Sequence, residues 1–183
     1  HLDVLHASGA QTLLVGGAVR DALLGGVTRD FDVATDFRPE QLAGLFDSVD
    51  LNLGAVQVPV PDATLTITSF RVESDYRDQR HPSCVEFVSS LDEDVCRRDF
   101  TINAIYFDPY RQAVIDPLGG RADLASGLLQ VIGDPESRLR EDPLRLLRAI
   151  RFAARFDMKL SDAVKAAVHV VGEHVAVLSQ ERI

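Results

Sequence analysis

Apolar residues come in short bursts through the first two thirds of the chain and fall into a helical rhythm afterwards. Residues 11–15 read as a short buried strand that Gly16-Gly17 breaks, and residues 18–24 as a helical turn or two stopped by Gly25-Gly26. Residues 31–34 predict a second strand. Residues 39–46 predict a helix with Pro39 in its first turn, where a missing N–H costs nothing. Residues 56–60 and 65–72 alternate or run in β-branched residues, and the short Pro61-Asp62-Ala63 connection makes them antiparallel neighbours. Residues 100–107 and 113–115 predict a closing pair around Asp108-Pro109. From Gly119 onward the pattern is helical: residues 122–129, a long helix from near Glu141, and residues 161–171 behind a Ser161 cap. A boundary near Leu118 therefore separates an α+β unit, residues 1–118, from a helical one, residues 119–183.

Composition leaves this picture intact. The 46% hydrophobic share belongs to an ordinary globular chain. No apolar run approaches the length of a bilayer span, and residues 1–9 lack the basic and apolar regions of a signal peptide. Cys84 and Cys96 are too few for a disulfide framework or a zinc site; two part-buried thiols in a reducing cytoplasm are expected.

Charge changes the picture more. A net charge of −9 argues against holding nucleic acid by bulk electrostatics, since such affinity comes from neutralising phosphates. The cations are concentrated instead: Arg138, Arg140, Arg145, Arg148, Arg151 and Arg155 lie close together, while residues 47–70 contain no Lys or Arg.

Candidate chemistry starts at Asp30-Phe31-Asp32. Alternation along a strand puts both carboxylates on one face, where they repel unless a cation sits between them. Hard oxygen ligands suit Mg²⁺, which serves phosphoryl and nucleotidyl displacement. By itself Asp-x-Asp is a common loop pattern. Upstream, however, Gly16-Gly17 opens a helix carrying Arg20, so backbone N–H groups and a guanidinium fork could meet phosphate oxygens beside the metal ligands. In the late helix, at about 100° per residue, Asp142, Arg145, Arg148, Arg151 and Arg155 share one half of the wheel and Leu146, Leu147, Ile150, Ala153 and Ala154 the other. Phe152 falls among the arginines, which suggests packing against the first unit. A solvated charged face would carry Lys as readily; planar Arg forks throughout suit anions.

The segment LLVGGAVRDALLGGVTRDFDVAT resembles the first motif of the class II tRNA nucleotidyltransferases and bacterial poly(A) polymerases. RRDFTINAI, with Arg98, Asp99 and Asn103, resembles their second motif; DPLGGRADL their link from head to neck; EDPLRLLRAIRFAARF their neck helix. These motifs, in family order, cover the chain from Leu13 to about Phe156.

The resemblance implies a polymerase-β-like head, a mixed, largely antiparallel sheet with flanking helices, followed by an all-helical neck. It implies Asp30 and Asp32 as catalytic Mg²⁺ ligands, and Gly16, Gly17, Arg20, Arg98, Asp99, Asn103, Asp142, Arg145, Arg148 and Arg151 as nucleotide-binding. Asp142 and Arg145 would read the base edge, favouring the amino-bearing bases C and A. Arg148 and Arg151 would serve the nucleotide and its phosphates, and Asp99 would accept from a ribose hydroxyl. Its partners would be ATP, CTP and an RNA 3′ end, with CCA, CC, A and poly(A) addition all left open.

Two positions depart from that pattern. Relatives commonly carry an acid where Thr66 stands, with Asp62 as the nearest substitute, and an Arg where Gln130 stands, which bears on the switch from C to A addition. Relatives also continue into helical body and tail domains that grip tRNA, whereas this chain stops just past the neck. A Mg-nucleotide-binding module with little catalysis is therefore the rival reading.

Overall fold

A computed structural model of the chain describes residues 1–74 and 83–172. The C-terminal stretch of the expected neck, residues 173–183, lies outside the described residues.

The centre is a six-stranded sheet. Its strands are β1 (Leu13–Val15), β2 (Asp30–Thr35), β3 (Ala55–Val60), β4 (Ala63–Ser69), β7 (Tyr106–Asp108) and β8 (Ala113–Ile115), in the order β3-β4-β2-β1-β7-β8. Every pairing is antiparallel except β2 with β4. The predicted hairpin of β3 and β4 forms across Pro61-Asp62, and Asp62 takes a positive φ of 58° in the turn.

Alternation gives the sheet two faces. On one, Val33, Val56, Val58, Leu65 and Ile67 pack under α1 (Leu2–Ala7) and α3 (Pro39–Ala43) through Leu5 and Leu42. On the other, Leu13, Val15, Ala34 and Tyr106 pack with Phe70, Val95 and Ile132. Asp30 and Asp32 occupy this second face, at the end of β2 that follows Thr28 and Arg29.

Several sequence expectations change here. Residues 65–72 are not one strand: Phe70 donates its N–H to Thr35 (2.7 Å), and Arg71–Ser74 forms β5, paired with β6 (Cys84–Phe87). Residues 100–107 are interrupted by a 3-10 turn, Thr101–Asn103, because both polar side chains are buried and bonded elsewhere. Thr101 Oγ1 donates to Asp123 Oδ2 at 2.6 Å, and Asn103 Oδ1 accepts from Arg20. Helix α1 and helix α4 (Leu91–Cys96) had no counterpart in the hydrophobic pattern. Both cysteines are free and exposed rather than part-buried.

The region after Gly119 is not all helical. Helix α5 (Gly120–Ser126) ends at left-handed Gly127, and β9 (Leu128–Leu129) then pairs in parallel with β10 (Lys159–Leu160). The opening glycine of α5 is dictated by contact: a Cβ on Gly120 would lie 2.2 Å from the Thr101 carbonyl oxygen. The long helix expected from near Glu141 is α7 (Leu144–Phe156), which starts only after Pro143, and an unexpected helix, α6 (Pro135–Glu141), precedes it. Pro143 disfavours helical geometry at Asp142, which is extended at φ −142°, ψ 99°. Asp134 caps α6 by accepting the Ser137 N–H at 2.9 Å, and Ser161 caps α8 (Asp162–Val171) as expected.

One core crosses the anticipated boundary at Leu118. Phe100 and Ile102 pack with Leu129, Val131, Ala149, Phe152, Met158 and Val164. Phe152 meets Phe100 edge-on at 5.5 Å, which explains its place among the arginines. The face of α7 that packs also differs from the wheel: Arg145, Leu146, Ala149 and Phe152 are buried, whereas Ile150 and Ala154 are exposed.

Candidate active site

A cavity of about 280 Å³ opens where the second face of the sheet meets α7, lined by Gly16, Gly17, Arg20, Asp32, Arg97, Arg98, Asp99, Asn103, Asp142, Arg145 and Arg148. Residues more than 130 positions apart in sequence are thereby brought to one space. Of the candidate residues, Asp30 and Arg151 do not line it. Both are exposed, Asp30 at the outer end of β2 and Arg151 on α7 beside the Phe152 ring, 5.3 Å from its centroid.

Gly16 caps α2 (Gly17–Leu23) at φ 73°, ψ −138°, a conformation L side chains avoid. A Cβ there would also come within 3.2 Å of Asp32 Oδ2, so the turn and the carboxylate are in contact. Asp32 opens toward the cavity, yet its surroundings disfavour its charge. Desolvation raises its pKa most; Arg98 opposes this, Asp30 adds to it, Arg148 opposes it, and the net shift is upward. The register sets Thr66 directly beside Asp32 and Thr64 beside Asp30. Thr66 therefore faces the same side of the sheet as the acidic pair. Asp62 is exposed in the preceding turn and does not line the cavity.

Arg20 is buried. Its Nε donates to Asp21 Oδ1 at 2.8 Å, its Nη2 lies 2.6 Å from the same oxygen, and its Nη1 donates to Asn103 Oδ1. Its guanidinium stacks on Phe152 and Phe156, 5.0 and 4.6 Å from the ring centroids. Asn103 Nδ2 in turn donates to Asp99 Oδ1 at 3.0 Å, and Asp99 Oδ2 forms an ion pair with Arg148.

Sequence reasoning missed the residue that organises the cavity wall. Asp94, on α4, is fully buried and accepts from Arg97 Nε (2.7 Å), Arg98 Nη2 (3.0 Å), Tyr106 Oη (3.2 Å) and the Arg71 N–H (3.3 Å). Burial pushes its pKa up, but the Arg98 and Arg97 charges outweigh burial and hold it below the usual value. Glu141 does a similar task on the other wall. Arg145 Nη1 donates to Glu141 Oε2 at 2.9 Å and to the Arg138 carbonyl at 2.8 Å, while Arg138 pairs with Glu141 and donates from Nη2 to the Arg97 and Arg98 carbonyls. The signals were present: Ser90-x-x-Glu93 is a helix-start pattern, and Asp94 stands three and four residues before Arg97 and Arg98.

Gln130 donates from Nε2 to Asp123 Oδ1 at 2.8 Å and accepts the Thr101 N–H on its carbonyl at 3.1 Å. It thereby ties α5 to the 3-10 turn behind the cavity.

The family model of the poly(A) polymerase head domain matches residues 12–130. The chain belongs to this family. The match takes in β1 through β9, and so the Gly16-Gly17 turn, the acidic pair and the Arg97-Arg98-Asp99 segment of this head domain. Over its whole length the chain is 40% identical to the CCA-adding enzyme of Lactobacillus helveticus, of which it covers 46%, and over 91% of its length it is 42% identical to that of Bacillus subtilis, of which it covers 43%. The chain thus spans somewhat less than half the length of these curated relatives.

Among solved structures it resembles the Bacillus stearothermophilus CCA-adding enzyme in complex with CTP, at a TM-score of 0.85 and 36% identity, covering 99% of this chain and 44% of that one. It also resembles a tRNA nucleotidyltransferase complexed with a primer tRNA and an incoming ATP analog, at a TM-score of 0.76 and 29% identity over 96% of this chain and 50% of that one. The expected polymerase-β-like fold, a mixed and largely antiparallel sheet with flanking helices, is therefore borne out.

Proposed function

We propose that the chain forms the catalytic head (residues 1–118) and nucleotide-reading neck (residues 119–183) of a template-independent nucleotidyltransferase that adds CMP and AMP to the 3′ end of tRNA, releasing pyrophosphate. The observation that carries this reading is that one cavity unites the glycine turn, Asp32, the Arg97-Arg98-Asp99 segment, Asp142 at the α6–α7 junction, and Arg145 and Arg148 on α7. The relatives named above as CCA-adding enzymes support it.

The residues present fit a divalent cation, Mg²⁺ by the hardness of the donors. Asp30 and Asp32 share one sheet face, and desolvation together with the Asp30 charge raises the Asp32 pKa, a cost that a cation relieves. Among the described residues no group of three or more His, Cys, Asp or Glu could hold a metal, so the remaining ligands would be water and substrate oxygens, as is usual for Mg²⁺. When bound, such a cation neutralises phosphate charge and activates the attacking 3′-hydroxyl.

The chain's own residues do the rest. The α2 opening at Gly16-Gly17, with Arg98, lines the phosphate side, and Arg20 stands behind it; Asp99 and Asn103 face the ribose; Asp142 accepts from an exocyclic amine while Arg145 donates to the base edge; Arg148 supplies a cation inside the cavity and Arg151 one on the exposed side of α7. Free thiols at Cys84 and Cys96 suit a reducing cytoplasm, and among the described residues no helix is long and apolar enough to cross a membrane.

Thr66 favours a second reading, a Mg-nucleotide-binding module of weak catalytic power, because the strand beside Asp32 offers a hydroxyl instead of a carboxylate. The family model keeps poly(A) synthesis as a further alternative. Incubation with tRNA lacking C-C-A, or ending in C-C, and labelled CTP or ATP separates these. Defined addition of C then A supports the proposal, long A tracts indicate poly(A) synthesis, and nucleotide binding without extension indicates the weak module.

A further inference from the structure

Resting on the nucleotide-transfer reading above, we infer that Arg20 is a positioning residue for sugar recognition: through Asn103 it orients the Asp99 carboxylate that distinguishes ribose from deoxyribose. An Asn side chain can present its oxygen or its NH₂ in either direction, and its partners decide which. Arg20 can only donate, so the Asn103 oxygen must face it and the NH₂ must face Asp99. The Asp99 Oδ1 atom is then saturated by that NH₂ at 3.0 Å and by the Phe100 N–H at 2.8 Å. Only Oδ2 is left for a ligand. It is buried, lies against the Arg148 guanidinium as an ion pair, and makes no hydrogen bond of its own.

Arg148 is half-exposed on α7, so its end of that pair is free to move, whereas every other link in the chain is enclosed. Arg20 itself is held on both sides. Asp21 takes its Nε and Nη2, and the Phe152 and Phe156 rings of α7 stack on its face. The line Asp21, Arg20, Asn103, Asp99 therefore runs from α2 through the 3-10 turn into the cavity and fixes one carboxylate oxygen toward the sugar. A hydroxyl donor on the ligand satisfies that oxygen; a 2′-deoxy sugar leaves it without a donor, which costs binding. This differs from the simple expectation of Arg20 as a phosphate fork, since a phosphate contact would serve ribo- and deoxyribonucleotides alike.

The test is equilibrium binding of ATP and dATP, with Mg²⁺, to the 183-residue chain and to its Arg20→Met and Asn103→Asp variants, with side-chain amide exchange of Asn103 followed by NMR. Wild type should prefer ATP, and Arg20→Met should cut the preference about five- to tenfold, the worth of roughly one hydrogen bond, while releasing the Asn103 amide protons to faster exchange. Asn103→Asp keeps a partner for Arg20 but turns the donor to Asp99 into a repelling oxygen, so the fold should hold and the preference should still fall. Equal weakening of ATP and dATP by Arg20→Met, or full ATP preference in Asn103→Asp, would overturn the relay while leaving the nucleotide reading in place. A wild type that binds both nucleotides equally removes Asp99 as the sugar reader and the relay with it, and one that binds neither sinks both this inference and the proposed function.

Discussion

Replacing Asp94 by Asn probes the wall of the cavity without touching a residue that lines it. The carboxylate is fully buried and shared by two guanidinium groups, a phenol and a backbone N–H. Asparagine keeps one acceptor oxygen and turns the other position into a donor, which then faces either Arg97 or Arg98. Removing one partner of a buried ion pair costs about 3–5 kcal/mol, mostly through the charge left behind. Here the lower end applies, because Arg97 keeps Glu73 at 3.3 Å and Arg98 keeps Tyr106 Oη at 2.7 Å. A loss of about 3 kcal/mol corresponds to a melting point lower by roughly 6–12 °C in a chain of this size.

The pH dependence has a definite sign. The folded pKa of Asp94 is lowered from 3.8, so its contribution is fully present above that value and is lost as pH falls through the lower folded pKa. In urea titrations at pH 7 the midpoint should drop with an unchanged slope, and the gap between wild type and Asp94→Asn should narrow only below about pH 3.8. A variant within about 0.5 kcal/mol of wild type at pH 7, the size of an ordinary surface change, or a gap that closes already near pH 6, would refute the assignment of Asp94 as the buried anchor of Arg97 and Arg98.

Asp32→Asn should abolish transfer while leaving the melting point unchanged or slightly raised, because desolvation and Asp30 both disfavour its charge; gross unfolding would count against a metal-ligand role. Thr66→Glu adds a carboxylate beside Asp32, so it should lower the melting point in chelator and raise Mg²⁺ affinity, and an absence of any Mg²⁺-dependent shift would contradict the placement of the cation at this edge. Arg145→Ala should blur the choice of C and A over U and G more than it weakens triphosphate binding, and should cost about 1–3 kcal/mol through the acceptors left on Glu141 and the Arg138 carbonyl. Binding assays with the four nucleotides check it, and uniform loss would contradict base reading.

Local rules were enough for the parts of the molecule that local chemistry determines. Alternation found β1 to β4 and put Asp30 and Asp32 on one face, and a Ser cap marked the start of α8. They failed where a distant partner decides. Residues 100–107 look like a strand until Asn103 is drawn to Arg20 and Thr101 to Asp123, a tertiary demand invisible in an eight-residue window. Strands β9 and β10 are two residues each and exist because Gly127 ends α5 beside the chain leaving α7. The start of α7 beyond Asp142 was legible in Pro143, yet the rhythm of leucines and arginines that follows drew the expected start back to Glu141 and placed Asp142 on the helix. Arg145 was misjudged for the opposite reason. A wheel sorts residues by polarity, whereas burial of a guanidinium depends on whether a carboxylate waits for it, as Glu141 does here.

That pairing explains how a chain of net charge −9 can build a cavity lined by five arginines. The arginines that line it are not bare charges: Arg98 and Arg97 are held by Asp94, Arg20 by Asp21, Arg145 by Glu141 and Arg148 by Asp99. Each acid lowers the cost of keeping a guanidinium charged in a partly enclosed site and removes much of its rotational freedom before any ligand arrives. The acids differ in how firmly they hold. Asp94 has no exposed surface and fixes the sheet side of the cavity, whereas Glu141 is one-third exposed and Arg148 nearly half-exposed, so the α6–α7 side can exchange partners. A ligand entering this cavity therefore meets one wall that is set and another that adjusts, and it is the adjustable wall that carries Asp142 and Arg145, the residues proposed above to read the base.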